Sequence, residues 1–173
     1  MLLSLPRQRQ LDLRQPVVMG ILNVTPDSFS DGGKYHQLDA ALYQAEQMLN
    51  DGAVILDVGG ESTRPGAADV SEADELQRVV PVIEALRQRF DCVISVDSSK
   101  AVVMSAAVQA GADMLNDVRA LQEPGALQVA VTAQLPVCLM HMQGAPRVMQ
   151  HAPQYRNVVA EVTQFLLQRA AEC

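Results

Sequence analysis

Four polar side chains stand at or near the ends of short apolar runs in this chain. They are Asn23, Asp57, Asp97 and Asn116. Short apolar runs rich in branched residues are typical of buried strands in a parallel sheet. Because α/β enzymes present their chemistry at the carboxyl ends of such strands, we predict a functional site there.

Asp57, Asp97 and Asn116 combine carboxylate and amide groups. A carboxylate accepts two neighbouring N–H groups, and an amide both donates and accepts. Together they suit a flat heterocycle with adjacent donors and acceptors. In the alternative interpretation, Asp97 caps the helix that begins at Ser98-Ser99, and Asn116 satisfies backbone groups in a turn.

Asn23 has two interpretations as well. Its carbonyl oxygen can bind a hard cation such as Mg²⁺, which completes its octahedron with water and substrate phosphates. As a residue that leads into the turn at Thr25-Pro26, it needs no ligand.

The glycine-rich loop 59–67 holds Thr63 and Arg64 between its glycines. Arg64 can bind a phosphate or a carboxylate, although a surface arginine would give the same pattern. His141 is either a catalytic group or a hydrogen-bonded histidine at the end of a strand. No Ser/His/Asp arrangement and no zinc-ligand spacing is present, so we expect electrostatic and positional chemistry.

Strand and helix patterns alternate along the chain. The predicted strands are 17–24, 53–58, 92–97, 114–118 and 137–142, and the last of them carries His141. The loops that enter strands are short, whereas several that leave them are long. This pattern predicts parallel β/α units of a TIM-type barrel. A doubly wound sheet is less favoured because neither GxGxxG nor GxxxxGK[ST] follows the first strand.

Further local signals sharpen this prediction. The segments 52–57 and 111–116 echo each other, which places Asp57 and Asn116 at matching depth. Ser71 is a good N-cap, and Pro81 should kink or break the helix that follows. We expect Ser98-Ser99 to cap the next helix, and residues ahead of Pro16 to form a polar strip.

The composition indicates one globular domain over residues 1–173. Of these residues, 49% are hydrophobic and 19% charged, and the net charge of −7 gives no basic footprint for nucleic acid. Neither a signal peptide nor an apolar run long enough for a membrane span is evident, so we expect a cytoplasmic protein. Cys92, Cys138 and Cys173 are predicted to be buried, reduced thiols.

Four segments of the chain resemble the signatures of bacterial dihydropteroate synthases. They are Gly20-Ile-Leu-Asn-Val-Thr-Pro-Asp-Ser-Phe-Ser-Asp-Gly-Gly33, Asp57-Val-Gly-Gly-Glu-Ser-Thr-Arg-Pro-Gly66, Ser95-Val-Asp-Ser-Ser-Lys100 and Leu115-Asn-Asp-Val-Arg119. The resemblance runs from Met19 through the segment 138–143. It implies a (β/α)8 barrel that joins 6-hydroxymethyl-7,8-dihydropterin diphosphate to 4-aminobenzoate in folate biosynthesis. Sulfonamides would inhibit such an enzyme, and the complete protein would be a homodimer.

The resemblance also implies roles for individual residues. Asp97 and Asn116 would hold the pterin ring, Asp57, Val118 and Met140 would line its pocket, and Asn23 would contact Mg²⁺ and diphosphate. Two loops would close over 4-aminobenzoate and diphosphate. Their residues include Phe29 in the first loop and Thr63, Arg64 and Pro65 in the second. We expect Asp97, Asn116 and Arg64 to contribute most to catalysis.

The sequence departs from the family in one respect. The family has eight strands, whereas five β/α units are found here, without an aspartate on the sixth strand, a Ser-Arg-Lys segment after the seventh or an Arg-x-His after the eighth. A partial barrel leaves two edges unpaired. We favour a piece of a longer parent over a chain completed by a separate piece or a half-barrel that dimerises. A non-catalytic pterin-binding module and the pterin-binding domain of corrinoid methyltransferases are the alternative functions.

Overall fold

The computed structural model describes residues 1–25, 34–62, 69–146, 148–150 and 152–173, without the side chains of 34–36. Seven strands and five helices lie within these residues. The strands are β1 Leu2–Ser4, β2 Gln10–Asp12, β3 Val18–Asn23, β4 Ala53–Gly59, β5 Val93–Asp97, β6 Met114–Asp117 and β7 Val137–Leu139. The helices are α1 Lys34–Asn50, α2 Glu72–Arg89, α3 Ala101–Ala110, α4 Ala126–Ala133 and α5 Val158–Glu172.

Strands β3 to β7 form one parallel sheet, in which the spatial order follows the order along the chain. A doubly wound sheet reverses its strand order at a switch point. Since no reversal occurs among the described strands, the sheet is singly wound, and the prediction of five β/α units of a partial barrel is confirmed.

Side chains of alternate strands meet on the inner face of the sheet. Backbone pairing sets Asp57 opposite Ser95 and Ser95 opposite Met114. Nevertheless, Asn116, two residues beyond Met114, donates from Nδ2 to Asp57 Oδ2 at 2.9 Å. In a TIM-type barrel, alternate strands contribute to the same layer of side chains. The side chains of Asp57 and Asn116 therefore meet, although the backbone register offsets the two residues by two positions.

The main apolar core lies between the outer face of the sheet and the helices. The sheet contributes Leu22, Leu56, Ile94 and Leu115, all fully buried. Burial of one such side chain stabilises the fold by about 1.5–3 kcal/mol. This layer holds the strand ends rigidly in place.

Helix α2 follows its sequence signals closely. Ser71 accepts a hydrogen bond from the Asp74 N–H, as predicted for an N-cap. Acidic residues fill its first turn and basic residues its last, in keeping with the helix dipole. The helix runs from Glu72 to Arg89 without interruption, so Pro81 does not break it.

The first fifteen residues are not merely a polar strip. Strands β1 and β2 pair as an antiparallel hairpin. Its Leu5 and Leu11 pack against Ile55, Val93 and Met114 on the inner face of the sheet. The segment holds five leucines among polar and charged residues, but the partners of Leu5 and Leu11 are distant in sequence, so the local pattern did not reveal the hairpin.

Asp113 fastens the hairpin to the sheet. Its fully buried carboxylate forms ion pairs with Arg7 and Arg87, contacts Arg9 at 3.2 Å and accepts a hydrogen bond from the Ile94 N–H at 2.9 Å. These contacts lie at the amino ends of β5 and β6. The Asp113 cluster is therefore structural and lies opposite the predicted site.

Three further expectations need correction. Helix α3 begins after Lys100, and its N-cap makes no side-chain hydrogen bond. Strand β7 ends at Leu139, so His141 lies beyond it. Cys92 is buried as expected, but Cys138 and Cys173 are exposed, and all three thiols are free. None of the helices in the described ranges is long and apolar enough to cross a membrane.

Candidate active site at the carboxyl ends of the strands

Strands β4, β5 and β6 bring Asp57, Asp97 and Asn116 together, as predicted. Asp57 is only 4% exposed, and one of its oxygens accepts the Asn116 amide hydrogen bond. Asp97 stands opposite Asn116 in the backbone register and opposite Gly59 on the other side. Two carboxyl groups and one amide thus share the strand ends.

Ser95 adds a polar group that sequence analysis did not single out. Its hydroxyl oxygen and Asp57 Oδ1 are both buried, and neither makes a hydrogen bond of standard geometry to a described residue. Buried polar atoms of this kind usually bind water or a ligand. Ser95 could have been identified from the sequence, because it lies two residues before Asp97 on one strand. Residues i and i+2 of a strand face the same side of the sheet.

The environment raises the pKa of both carboxyl groups above the ordinary value. Burial raises the pKa of Asp57, and the Ser95 hydroxyl and the Asn116 amide oppose that rise. Burial, followed by the charges of Asp57 and Asp117, raises the pKa of Asp97 to about 7. Asp97 therefore changes its charge near neutral pH, as is common for groups at functional sites.

Gly59 leaves space between Asp97 and Asn23. A methyl group built on Gly59 would lie 3.5 Å from Asp97 Oδ2 and 3.8 Å from Asn23 Oδ1. The exposed Asn23 side chain and the Asp97 carboxyl thus flank the same small volume at the end of β4. A ligand that contacts both residues would pass over Gly59.

A cavity of about 580 Å³ opens beside Asp97. Its lining includes Glu61, Lys100, Val118 and Arg119. The volume lies in the range of small-molecule sites. Of the predicted site residues, Asp97 and Val118 line this cavity, whereas Asp57 and Asn116 lie beside it on the inner face of the sheet.

Lys100 connects the loop after β4 to helix α2. Its ammonium group forms ion pairs with Glu61 and with the buried Glu75. Burial alone would lower the pKa of Lys100, but the hydrogen bonds to the two glutamates outweigh that effect and raise it. Glu61 also accepts a hydrogen bond from the Val70 N–H at 3.3 Å. This ion-pair cluster, which sequence analysis missed, ties together the two ends of the loop that carries Thr63 and Arg64.

His141 packs among aromatic rings. Its ring centroid lies 5.1 Å from that of Phe165, edge to face, and 5.8 Å from that of Tyr155. These contacts favour a packing role for His141 over a catalytic one. Met140 lies next to it, partly buried, just beyond β7.

Four predicted site residues lie outside the described residues. They are Phe29, Thr63, Arg64 and Pro65. Their roles stay predictions. Within the described ranges, no group of three or more His, Cys, Asp or Glu side chains could hold a metal ion.

Parallel β/α units with two carboxyl groups and one amide at the strand ends define a partial TIM-type barrel with a candidate site at its carboxyl face. The chain belongs to the pterin binding enzyme family, whose pattern it matches over residues 19–173.

Among its relatives, a dihydropteroate synthase of Haemophilus influenzae is 64% identical over 163 residues, which cover 94% of this chain and 59% of that protein. A crystal structure of the Yersinia pestis dihydropteroate synthase with a sulfonamide drug complex is similar with a TM-score of 0.92 at 57% identity, covering 100% of this chain and 62% of that one. The structure of the Xanthomonas albilineans dihydropteroate synthase with 4-aminobenzoic acid is similar with a TM-score of 0.87 at 50% identity. The match covers 97% of this chain and 59% of that one. The chain thus spans about three fifths of the length of these relatives.

Proposed function

We propose that this chain provides the pterin-binding part of a dihydropteroate synthase. The reaction joins 6-hydroxymethyl-7,8-dihydropterin diphosphate to 4-aminobenzoate and releases diphosphate. One observation carries the proposal: the half-buried Asp97 carboxyl stands beside the hydrogen-bonded Asp57–Asn116 pair at adjoining strand ends. The relatives support this function over that of a corrinoid methyltransferase domain.

The three polar groups would divide the recognition of the pterin ring between them. Asp97, when ionised, would accept two neighbouring N–H groups of the ring. Asn116 donates one of its two amide N–H groups to Asp57, which leaves its second N–H and its carbonyl oxygen for the ligand. Asp57 would therefore orient Asn116 and would itself face the deepest part of the ring.

Asn23 is the residue that would hold a magnesium ion. Its exposed amide oxygen points towards the free volume over Gly59. One amide oxygen fits Mg²⁺, because this ion prefers oxygen ligands and keeps several waters or substrate phosphates. When bound, Mg²⁺ would neutralise charge on the leaving diphosphate.

The chemistry would proceed without a protein nucleophile. The bond from the pterin methylene carbon to the diphosphate oxygen breaks, and the electron pair leaves with diphosphate. The aryl amine then forms the new C–N bond and loses one proton. Asp97 would stabilise the positive charge that develops on the ring, and Arg64 would bind the departing anion.

A fusion protein tests this function. Residues 1–173 would be joined to the part of the Haemophilus influenzae relative that this chain does not match. We expect the fusion to form dihydropteroate from both substrates with Mg²⁺. A folded fusion without turnover would contradict the proposal. In that case, calorimetry with the dihydropterin diphosphate would distinguish a pterin-binding module, which binds, from a chain without this specificity.

Replacing Arg64 with alanine in the fusion should reduce kcat by about a hundredfold or more, because the arginine would stabilise the departing diphosphate. The Kd of the pterin substrate should change by less than about threefold, a difference worth less than 1 kcal/mol. Steady-state kinetics and calorimetry measure the two quantities. Arg89→Ala is the control, since Arg89 is an exposed arginine paired with Glu46. Equal losses in kcat and affinity would refute the assigned role of Arg64.

Gly59→Ala should weaken pterin diphosphate binding by about tenfold or more while the melting temperature changes little. The added methyl would make ordinary contacts of 3.5 Å with Asp97, so the fold tolerates it, but it would occupy the space that we assign to the ligand. Gly60→Ala is the matched control. Its methyl would lie 2.7 Å from Val79 Cγ2, and such overpacking costs about 1–3 kcal/mol. Unchanged affinity in Gly59→Ala would show that no ligand passes over this residue.

Two properties of the complete protein are proposed with this function. We infer a cytoplasmic location, which the three free thiols support because a reducing compartment preserves them. We also infer a homodimer, which rests on the family resemblance alone. Light scattering of the fusion protein would measure its oligomeric state, and a monomer would contradict the second inference.

A further inference from the structure

The loop that follows β6 contains two adjacent residues in a rarely occupied conformation. Ala120 and Leu121 have φ angles of 54° and 57°. The left-handed region costs an L-residue with a Cβ roughly 1–2 kcal/mol. Neither residue is glycine, so other contacts must hold this backbone in place.

Asp117 holds the N–H groups of the loop. Its fully buried carboxylate accepts hydrogen bonds from the Arg119 N–H at 2.8 Å and the Leu121 N–H at 2.7 Å. It also accepts a hydrogen bond from the Ser99 hydroxyl. The loop is thereby joined to the segment that precedes α3.

Arg169 on α5 holds the carbonyl groups of the same two residues. Its Nε donates to the Ala120 oxygen at 2.8 Å, and its Nη2 donates to the Leu121 oxygen at 3.0 Å. The side chain is 9% exposed, and its remaining nitrogen pairs with Glu172. A planar guanidinium can reach two adjacent acceptors at once, which a lysine ammonium does less well.

The loop adjoins the candidate site directly. Asn116 immediately precedes Asp117, and its carbonyl oxygen accepts a hydrogen bond from the Ser98 N–H at 3.2 Å. Val118 and Arg119 line the cavity beside Asp97. A change in the path of residues 117–121 would therefore move the end of β6 and one wall of the cavity.

We propose that Arg169 is a positioning residue for the pterin site, which acts from α5 by fixing the backbone of residues 117–121. It touches no substrate atom, and its effect is transmitted through the carbonyl groups of Ala120 and Leu121. The inference rests on the proposed function, because it assigns the pterin ring to the end of β6.

The test compares Arg169→Met and Arg169→Lys with Arg87→Lys. Arg87 also donates to two carbonyl oxygens, those of Gly111 and Cys92, but at the amino ends of the strands. All three variants should melt at a lower temperature than the wild-type chain. Only the Arg169 variants should lose affinity for the dihydropterin diphosphate, by about tenfold for methionine and less for lysine.

Hydrogen exchange provides a readout that needs no ligand. The Leu121 amide should exchange faster in the Arg169 variants and at the wild-type rate in Arg87→Lys. If Arg169→Met does not fold, Arg169→Lys supplies both measurements.

Wild-type affinity in folded Arg169 variants, or equal losses in Arg87→Lys, would overturn the positioning role. If the wild-type chain does not bind the pterin, the proposed function fails by itself. Exchange at Leu121 and the NMR signals of the Asn116 side-chain amide then decide whether Arg169 orders the end of β6, and unchanged values would overturn the proposal.

Discussion

Asp97→Asn is expected to weaken binding of the dihydropterin diphosphate by at least about a hundredfold, because charge-assisted hydrogen bonds contribute roughly 1.5–3 kcal/mol each. Asparagine has nearly the same shape as aspartate, but it offers one acceptor where the carboxylate offers two. Its NH₂ group would face a ring N–H, donor against donor. Isothermal titration calorimetry measures the effect directly.

The control for this experiment is Asp91→Asn. The Asp91 side chain is 94% exposed and forms an ion pair with Arg9 at 3.4 Å. This variant should bind like the wild-type chain. An Asp97→Asn variant that binds within threefold of the wild type would remove Asp97 from the pterin site.

The same aspartate should make binding depend on pH. Since the pKa of Asp97 is raised to about 7, its carboxyl is protonated below that pH and loses one of its two acceptors. Affinity for the pterin should therefore rise with pH between about 5 and 8, and Asp97→Asn should abolish that rise. Titrations at several pH values check this expectation.

The free protein should show the opposite trend in stability. The folded-state pKa of Asp97 lies above its ordinary value of 3.8, so the folded state binds more protons than the unfolded state between these values. The contribution of Asp97 to the free energy of unfolding is therefore complete below about pH 4, and it is lost as the pH rises through about 7. The free energy of unfolding of Asp97→Asn should lack this decline, relative to the wild type.

Replacement of Asp113 should have the largest effect on stability. Asp113→Asn is expected to lower the free energy of unfolding by about 3–5 kcal/mol, the usual cost of removing one member of a buried ion pair. The guanidinium groups of Arg7, Arg9 and Arg87 would lose the carboxylate that they share. The hydrogen bond of Asp113 with the Ile94 N–H would be lost or weakened as well.

Urea denaturation measures this change, and Glu46→Gln is the matched control. Glu46 forms an exposed ion pair with Arg89, and exposed pairs contribute no more than about 1 kcal/mol. Limited proteolysis adds a second readout, since Arg7 and Arg9 belong to the hairpin and its release would expose residues 1–15. A loss below about 1 kcal/mol in Asp113→Asn would show that the hairpin is held mainly by its leucines.

The order of the five parallel strands and of the helices between them was predictable from the sequence, as were three of the polar residues that meet at the strand ends. Those features depend on local patterns. Branched apolar runs define buried strands, and Ser71 precedes α2 with an acceptor that its first turn requires. Alternation with short connections restricts such elements to parallel neighbours. The convergence of Asp57 and Asn116 followed from those rules, whereas the hydrogen bond between them was found only in the structure.

Local patterns misplaced the end of β7, because they could not show that His141 packs on the Phe165 ring of α5. They also gave Ser98 and Ser99 a capping role. Ser98 accepts a hydrogen bond from the Lys100 N–H at 3.2 Å, just ahead of α3, whereas Ser99 donates to Asp117. In both cases the partner lies in another element. The role of a side chain near the end of a strand or helix thus depends on the neighbouring elements that it contacts.

The strand ends are held by contacts between segments that are distant in the sequence. Arg9 reaches Asp113 across 104 residues, Arg169 reaches Ala120 across 49, and Lys100 reaches Glu61 across 39. No repeat or spacing in the sequence predicts such pairs. Charged residues are mostly solvent-exposed, so sequence patterns do not indicate which of them are buried beside a distant partner. The physical reason is that burial removes water from these groups, so only the folded chain supplies the hydrogen bonds that replace it.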